Sequence, residues 1–184
     1  MLELPALTAS VLALIWIAAA WDVHQRRIPN ILVLAALLFG LTLQFVLAGA
    51  GGLLSALAGL SVGLVVLLPG YLLGTTGAGD VKLMAAIGTF LGPQDVLLAA
   101  LASVVVGSMV ALGYAASSLF QSESVTPWRR WGLMCRTFVT TLRPIYLPPA
   151  EGEVMGRKFP FAVSIALGTT LFLAWPLIQA RLPV

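Results

Sequence analysis

The chain has 184 residues, of which 60% are apolar and only 9% charged, against roughly a quarter charged in an ordinary soluble domain. This composition excludes a water-soluble fold, and six spans of about 20 residues each would leave no room for a separate soluble domain. One cysteine, Cys135, and one histidine, His24, exclude an intramolecular disulfide, a Cys-based zinc cluster and a His-rich metal site, so no metal or cofactor is expected; the net charge of +3 is unevenly placed and reads as a topology signal, not as a nucleic-acid footprint.

In chain order, residues 4–21 are the first segment apolar enough to span a bilayer. Glu3 stands where a signal peptide has basic residues, and Trp21-Asp22 replaces a small-x-small cleavage site, so this segment is expected to be retained as a helix. Spans 31–48 and 53–74 follow. Residues 81–92, between a glycine-rich turn and Gly92-Pro93, give only about 18 Å of helix and are expected to cross a thinned region or a re-entrant path. Spans 96–120 and 159–179 complete the set. If 81–92 crosses, nine of the ten Lys and Arg residues fall on one side: Arg26, Arg27, Lys82, Arg129, Arg130, Arg136, Arg143, Arg157 and Lys158, with Arg181 opposite. If it does not cross, the bias collapses. The positive-inside rule therefore favours six crossings, both termini external and the basic side cytoplasmic. Glycines four apart, Gly59 with Gly63, Gly70 with Gly74 and Gly88 with Gly92, would let helices approach closely.

Between the last two spans, residues 127–142 place Trp128, Trp131, Met134, Cys135, Phe138, Val139 and Leu142 at three- and four-residue steps, with Arg129, Arg130 and Arg136 elsewhere. Thr126 and Pro127 suit the N-cap and first helical position. Such a helix should lie in the headgroup layer against anionic lipid, either as an anchor or as a floor that guides a membrane-bound substrate. Pro144, Pro148 and Pro149 then break it. The expected fold is an all-α integral membrane protein, a single domain over 1–184 with about six transmembrane helices and one cytoplasmic interfacial amphipathic helix.

Of the seven carboxylates, Glu3 and Asp95 belong to the external side, and Glu123, Glu151 and Glu153 to the long cytoplasmic loop. Asp22 and Asp80 remain, at the cytoplasmic ends of the first and fourth helices. Alone, Asp22 reads as a solvated acid beside Arg26 and Arg27, and Asp80 as a helix cap. Together, two carboxylates in a partly dehydrated site cannot both ionise comfortably, which leaves an acid beside a base as in an aspartyl protease. Neither can be assigned as acid or base from sequence. Gly77 and Gly79 lack a Cβ and are expected to permit positive φ and the approach of a peptide backbone. Lys82 is either a positive-inside anchor or a cation holding a carboxylate or a substrate carbonyl; His24 reads as an interfacial loop residue.

This combination resembles the type IV prepilin peptidases, membrane aspartyl proteases of the Gly-x-Gly-Asp class. The resemblance rests on Asp22 followed by Arg27-Ile28-Pro29-Asn30, on Gly77-Ala78-Gly79-Asp80-Val81-Lys82-Leu83, and on Lys158-Phe159-Pro160-Phe161 running to Ile165-Ala166-Leu167-Gly168. It implies that Asp22 and Asp80 are the catalytic pair, supported by Gly77, Gly79, Lys82, Arg27, Pro29 and Asn30. It further implies cleavage of the basic leader of prepilin-like membrane substrates, Flp or tight-adherence pilins among them, at the cytoplasmic face of a prokaryotic inner membrane. Longer members carry a domain with paired Cys-x-x-Cys motifs and methylate the new N-terminus. With Cys135 alone and a span beginning near residue 1, this chain resembles the short form, and methylation is not expected. Ala162 follows Pro160-Phe161 where many relatives have glycine.

Zinc and rhomboid-like proteases lack their residues here: there is no His-Glu-x-x-His, and His24 is the one histidine. Presenilin-like enzymes share Gly-x-Gly-Asp, but here Asp22 sits at a span end after Trp21. Lipoprotein signal peptidase works at the external face. The remaining alternatives are a small carrier or scaffold using the carboxylates as an ion site, or an inactive relative; transporter sites favour the bilayer midplane and internal symmetry, neither of which is visible.

Overall fold

A computed structural model of the protein describes residues 5–72, 76–118 and 161–179, together with residues 132, 133, 136 and 140. The described helices are α1 (Pro5–Gln25), α2 (Asn30–Leu72), α3 (Ala78–Leu91), α4 (Pro93–Ser118) and α5 (Phe161–Gln179). By contacts the chain divides into two compact units, Met1–Gly107 with Pro160–Val184, and Ser108–Phe159.

The first unit is built around α3. From Asp80 to Leu91 every residue of this helix is buried except Lys82. α2 packs on it most extensively, and α1, which lies mainly against α5, also reaches it. Its 14 residues make only about 21 Å of helix, too short to meet lipid along a full crossing. A helix surrounded by protein has no such requirement, because its neighbours cover its ends.

The two spans expected over 31–48 and 53–74 are one 43-residue helix broken at Gly49, where φ 61° and ψ −145° leave helical geometry. Glycine enters that region without a Cβ penalty, so a single residue replaces the expected connecting loop. The halves, α2a (30–48) and α2b (50–72), fold back on each other. On α2a, Asn30 meets Lys82 and Gln44 meets Phe90, so it runs parallel to α3. On α2b, Gly59 abuts Gly88 and Gly63 abuts Met84, so it runs antiparallel. Gly59 and Gly88 each present backbone where the other's Cβ would stand. These glycines, spaced four apart in the sequence, are the seam between α2b and α3.

The core joins Val11, Ile15 and Ala18 of α1, Leu83, Met84 and Ile87 of α3, Val96 and Ala99 of α4, and Ile165 and Ala166 of α5. Outward positions are also apolar: Leu34, Leu38, Leu54, Val65, Leu98 and Val105 are exposed. A surface this apolar suits lipid and not water. Among the described residues three helices, Leu7–Gln25, Asn30–Leu72 and Pro93–Gly113, are long and apolar enough to cross a membrane, and Phe161–Trp175 is a shorter apolar stretch. The protein is an all-helical membrane protein. In the second unit, Gly132, Leu133, Arg136 and Thr140 are helical, and the Thr140 hydroxyl donates to the Arg136 carbonyl at 2.9 Å. The rest of the expected interfacial helix over 127–142, the Lys158-Phe159-Pro160 stretch and Gly74 lie outside the described residues.

Candidate active site

α1 runs on through Gln25, four residues past the expected end of the first span, so Asp22 occupies its last turn and not the loop beyond it. The helix closes with Arg26 in the left-handed region, φ 52°, its N–H donating to the Asp22 carbonyl at 2.7 Å. This turn directs the Asp22 side chain inward, and it is 9% exposed. Asp22 is therefore not the solvated acid that Arg26 and Arg27 alone would suggest. Both arginines are exposed, and among the described residues no lysine or arginine is paired with it.

Asp80 enters from the opposite kind of helix end. Gly77 is extended, with φ −81° and ψ 152°, and α3 begins at the next residue. Asp80 is the third residue of that helix, and its Oδ2 accepts from the Gly77 N–H at 3.0 Å. The Asp80 and Val81 N–H groups return to the Gly77 carbonyl at 3.1 and 3.3 Å. The carboxylate thus caps its own helix, where the positive end of the dipole favours an anion. It is 7% exposed and lies within electrostatic reach of Asp22. Folding thus buries two carboxylates from separate helices within electrostatic reach of each other.

The other expected site residues divide. Neither Gly77 nor Gly79 uses positive φ; among the described residues the glycines that do are Gly49 and Gly92. The cap of α3 needs an extended residue at 77 and a helical one at 79, so the expected conformational role is corrected. Gly77 matters for space instead: a Cβ there would stand 3.0 Å from Asp80 Oδ2, whereas one at Gly79 would meet Ile28 at an ordinary 3.4 Å. Among the described residues Lys82 holds no carboxylate. It is exposed, and its Nζ donates to Asn30 Oδ1 at 3.1 Å, tying the first turn of α3 to the start of α2a. Pro29 is half-buried, and its carbonyl accepts from Val33 at 3.3 Å. His24 is exposed on the last turn of α1.

Charge is distributed along the first unit in one direction. Arg26, Arg27 and Lys82 lie at the end that carries both carboxylates, because Asn30 meets Lys82 and Ile28 meets Gly79. The turns at Gly49 and Gly92 lie at the other end, where Ser55 approaches Gly92 and Gln44 bonds to Phe90. The sequence model of the type IV leader peptidase family matches residues 9–112. The chain belongs to that family. The match runs from α1 into α4 and contains both Asp22 and Asp80, so membership in the type IV leader peptidase family and the carboxylate pair fall on the same part of the molecule. No curated protein and no solved structure matches the chain.

Proposed function

We propose that the protein is a membrane-embedded aspartic endopeptidase, with Asp22 and Asp80 as its catalytic pair, that removes the leader from type IV prepilin-like precursors. The observation that carries this is the pair itself: two buried carboxylates, on α1 and α3, with Asp80 held by the Gly77 N–H and within electrostatic reach of Asp22. Buried carboxylates are expensive in a membrane protein and are retained for chemistry. One acts ionised and takes a proton from the attacking water. The other, protonated, donates to the scissile carbonyl and polarises it, and the roles exchange as the amine leaves.

The cytoplasmic face is favoured by Arg26, Arg27 and Lys82 lying at the same end as the carboxylates. A six-crossing topology follows when α2a, α2b and α3 each cross. A prepilin is an apolar helix with a basic leader, so its junction reaches the interface at the depth of Asp22 and Asp80. Gly77, Gly79 and the Lys82–Asn30 pair flank the approach to Asp80, and Arg27 and Pro29 the approach from α1. Arg129, Arg130 and Arg136 within residues 127–142 suit anionic lipid of the inner membrane.

The test is co-expression of wild type, Asp22→Asn and Asp80→Asn with a panel of prepilin-like precursors, the new N-termini being mapped by mass spectrometry. Wild type alone should cleave, with both variants correctly inserted. Cleavage by either variant at the wild-type rate would sink the two-aspartate assignment. Absence of cleavage by inserted wild type across the panel would turn the assignment toward an inactive relative or a carrier, the latter marked by ion-coupled flux in liposomes.

A further inference from the structure

We propose that the Lys82–Asn30 hydrogen bond holds the segment that follows Asp22 against the helical turn that carries Asp80, so that Lys82 and Asn30 are positioning residues for the reaction and neither touches substrate. This rests on Asp22 and Asp80 being the catalytic pair. The two carboxylates come from helices that are not consecutive in the chain: Asp22 stands in the last turn of α1 and Asp80 in the first turn of α3. α3 packs far more extensively on α2 than on α1. The register of α3 against the start of α2a therefore carries over to α1 through the turn at residues 26–29.

That turn is short and conformationally restricted. Arg26 closes α1 at φ 52°, with its N–H on the Asp22 carbonyl at 2.7 Å. The ring of Pro29 fixes its own φ, and its carbonyl accepts from Val33 as α2a begins. A connector of this kind passes a displacement of Asn30 on to the last turn of α1 and does not absorb it. Two contacts join it to α3. Ile28, half-buried against the core, lies where a Cβ on Gly79 would meet it at 3.4 Å, and Lys82 Nζ reaches Asn30 Oδ1 at 3.1 Å. Gly79 and Lys82 are three residues apart, so they share a face of α3, and they bracket Asp80 in the chain. The apolar contact alone leaves a pivot; the polar one, almost a turn further along, removes the rotation. Lys82 is the one residue from Asp80 to Leu91 that is not buried. Both partners are exposed, so the bond adds little to the stability of the fold, and its effect falls on the alignment of the two turns.

The experiment compares purified full-length wild type, Lys82→Met, Asn30→Ala, the double variant and Asn30→Asp in liposomes, with a prepilin-like substrate that wild type cleaves. Each of Lys82→Met and Asn30→Ala should lower kcat by roughly 5- to 10-fold, the span between an exposed pair and a charge-assisted hydrogen bond. KM should be unchanged, because substrate docking is untouched. The double variant should be no worse than the poorer single one, since both changes break the same bond. Asn30→Asp, which keeps an oxygen acceptor for the lysine, should recover most of the loss seen in Asn30→Ala. Thermal unfolding in detergent should stay near wild type throughout, which separates misalignment from loss of fold. A silent Asn30→Ala would leave Lys82 as a topological charge alone and overturn the proposal. Additive losses, or a rise in KM in place of the fall in kcat, would overturn it in favour of separate roles or of substrate contact.

A second measurement needs no activity. In a Cys135→Ser background, Asn30→Cys with Lys82→Cys should be joined by a short bis-maleimide, detected as a linked peptide pair by mass spectrometry. Ala50→Cys with Lys82→Cys should not be, because Gly49 lies at the other end of α3. Absence of the first link in inserted protein would overturn the contact. Failure of wild type to cleave any substrate, by contrast, counts against the proposed function and leaves the cross-link to decide the contact separately.

Discussion

At the scale of single residues, the site depends on what surrounds each carboxylate more than on the motif that contains it. Gly77 has an extended φ of −81°, which alanine adopts freely, so Gly77→Ala costs nothing in backbone strain. Its new Cβ would nevertheless stand 3.0 Å from Asp80 Oδ2 and push the carboxylate by a few tenths of an ångström. Misplacement on this scale reduces catalysis steeply, and Gly77→Ala should lower kcat by roughly tenfold or more. Gly79→Ala, whose Cβ meets Ile28 at 3.4 Å, should cleave within a few-fold of wild type. Steady-state kinetics on the two variants checks both expectations, and the reverse order would show that Gly79, not Gly77, sets the space around Asp80. Asp22 and Asp80 were legible in the sequence as candidates because so few carboxylates fall near span ends on the basic side. The burial of Asp22 was not, since the neighbouring Arg26 and Arg27 point equally well to a solvated loop.

At the scale of elements, α3 is held axially by two devices. At its end remote from the carboxylates, the Gln44 amide, 1% exposed, donates to the Phe90 carbonyl at 2.7 Å. Along its length, Gly88 meets Gly59 of α2b backbone to backbone. Gln44→Leu keeps the volume but leaves that carbonyl unpaired, and it should destabilise the protein by about 1 to 3 kcal/mol. Gly88→Ala drives a methyl into the backbone of Gly59 and should cost about as much or more, because neither helix has a flexible atom to yield. Thermal unfolding in detergent, read alongside the unaltered far-UV spectrum, checks both; a neutral Gly88→Ala would mean that α2b and α3 can slide apart. The glycine spacing predicted close approach without naming partners. The break at Gly49 was expected only as a short loop, since periodicity does not distinguish a loop from one residue at positive φ.

For the whole molecule, the direction of each helix relative to α3 sorts the turns into two sets. The 26–30 and 76–77 turns lie at the carboxylate end, and Gly49 and Gly92 at the other. With Cys135→Ser as background, single cysteines at Asn30 and Thr76 should therefore react with a membrane-impermeant maleimide only after the membrane is opened, and cysteines at Ala50 and Gln94 before it is opened. Labelling of Thr76→Cys from outside would break the six-crossing topology and the cytoplasmic placement of the site together. Asn30 carries a hydrogen bond to Lys82, so its labelling is read beside Thr76 and not alone.

By itself, the sequence determined that this is an all-helical membrane protein, which segments are apolar enough to span, and which two carboxylates stand apart from the rest. Those are consequences of composition, length and order along the chain, and each can be read within a window of about 20 residues. Tertiary structure alone decided that Asp22 and Asp80 are both buried and within electrostatic reach, that Lys82 turns to Asn30, and that Gly77 contributes space and not positive φ. These depend on contacts between residues far apart in the chain, and a local pattern carries no information about which surfaces of which helices will meet.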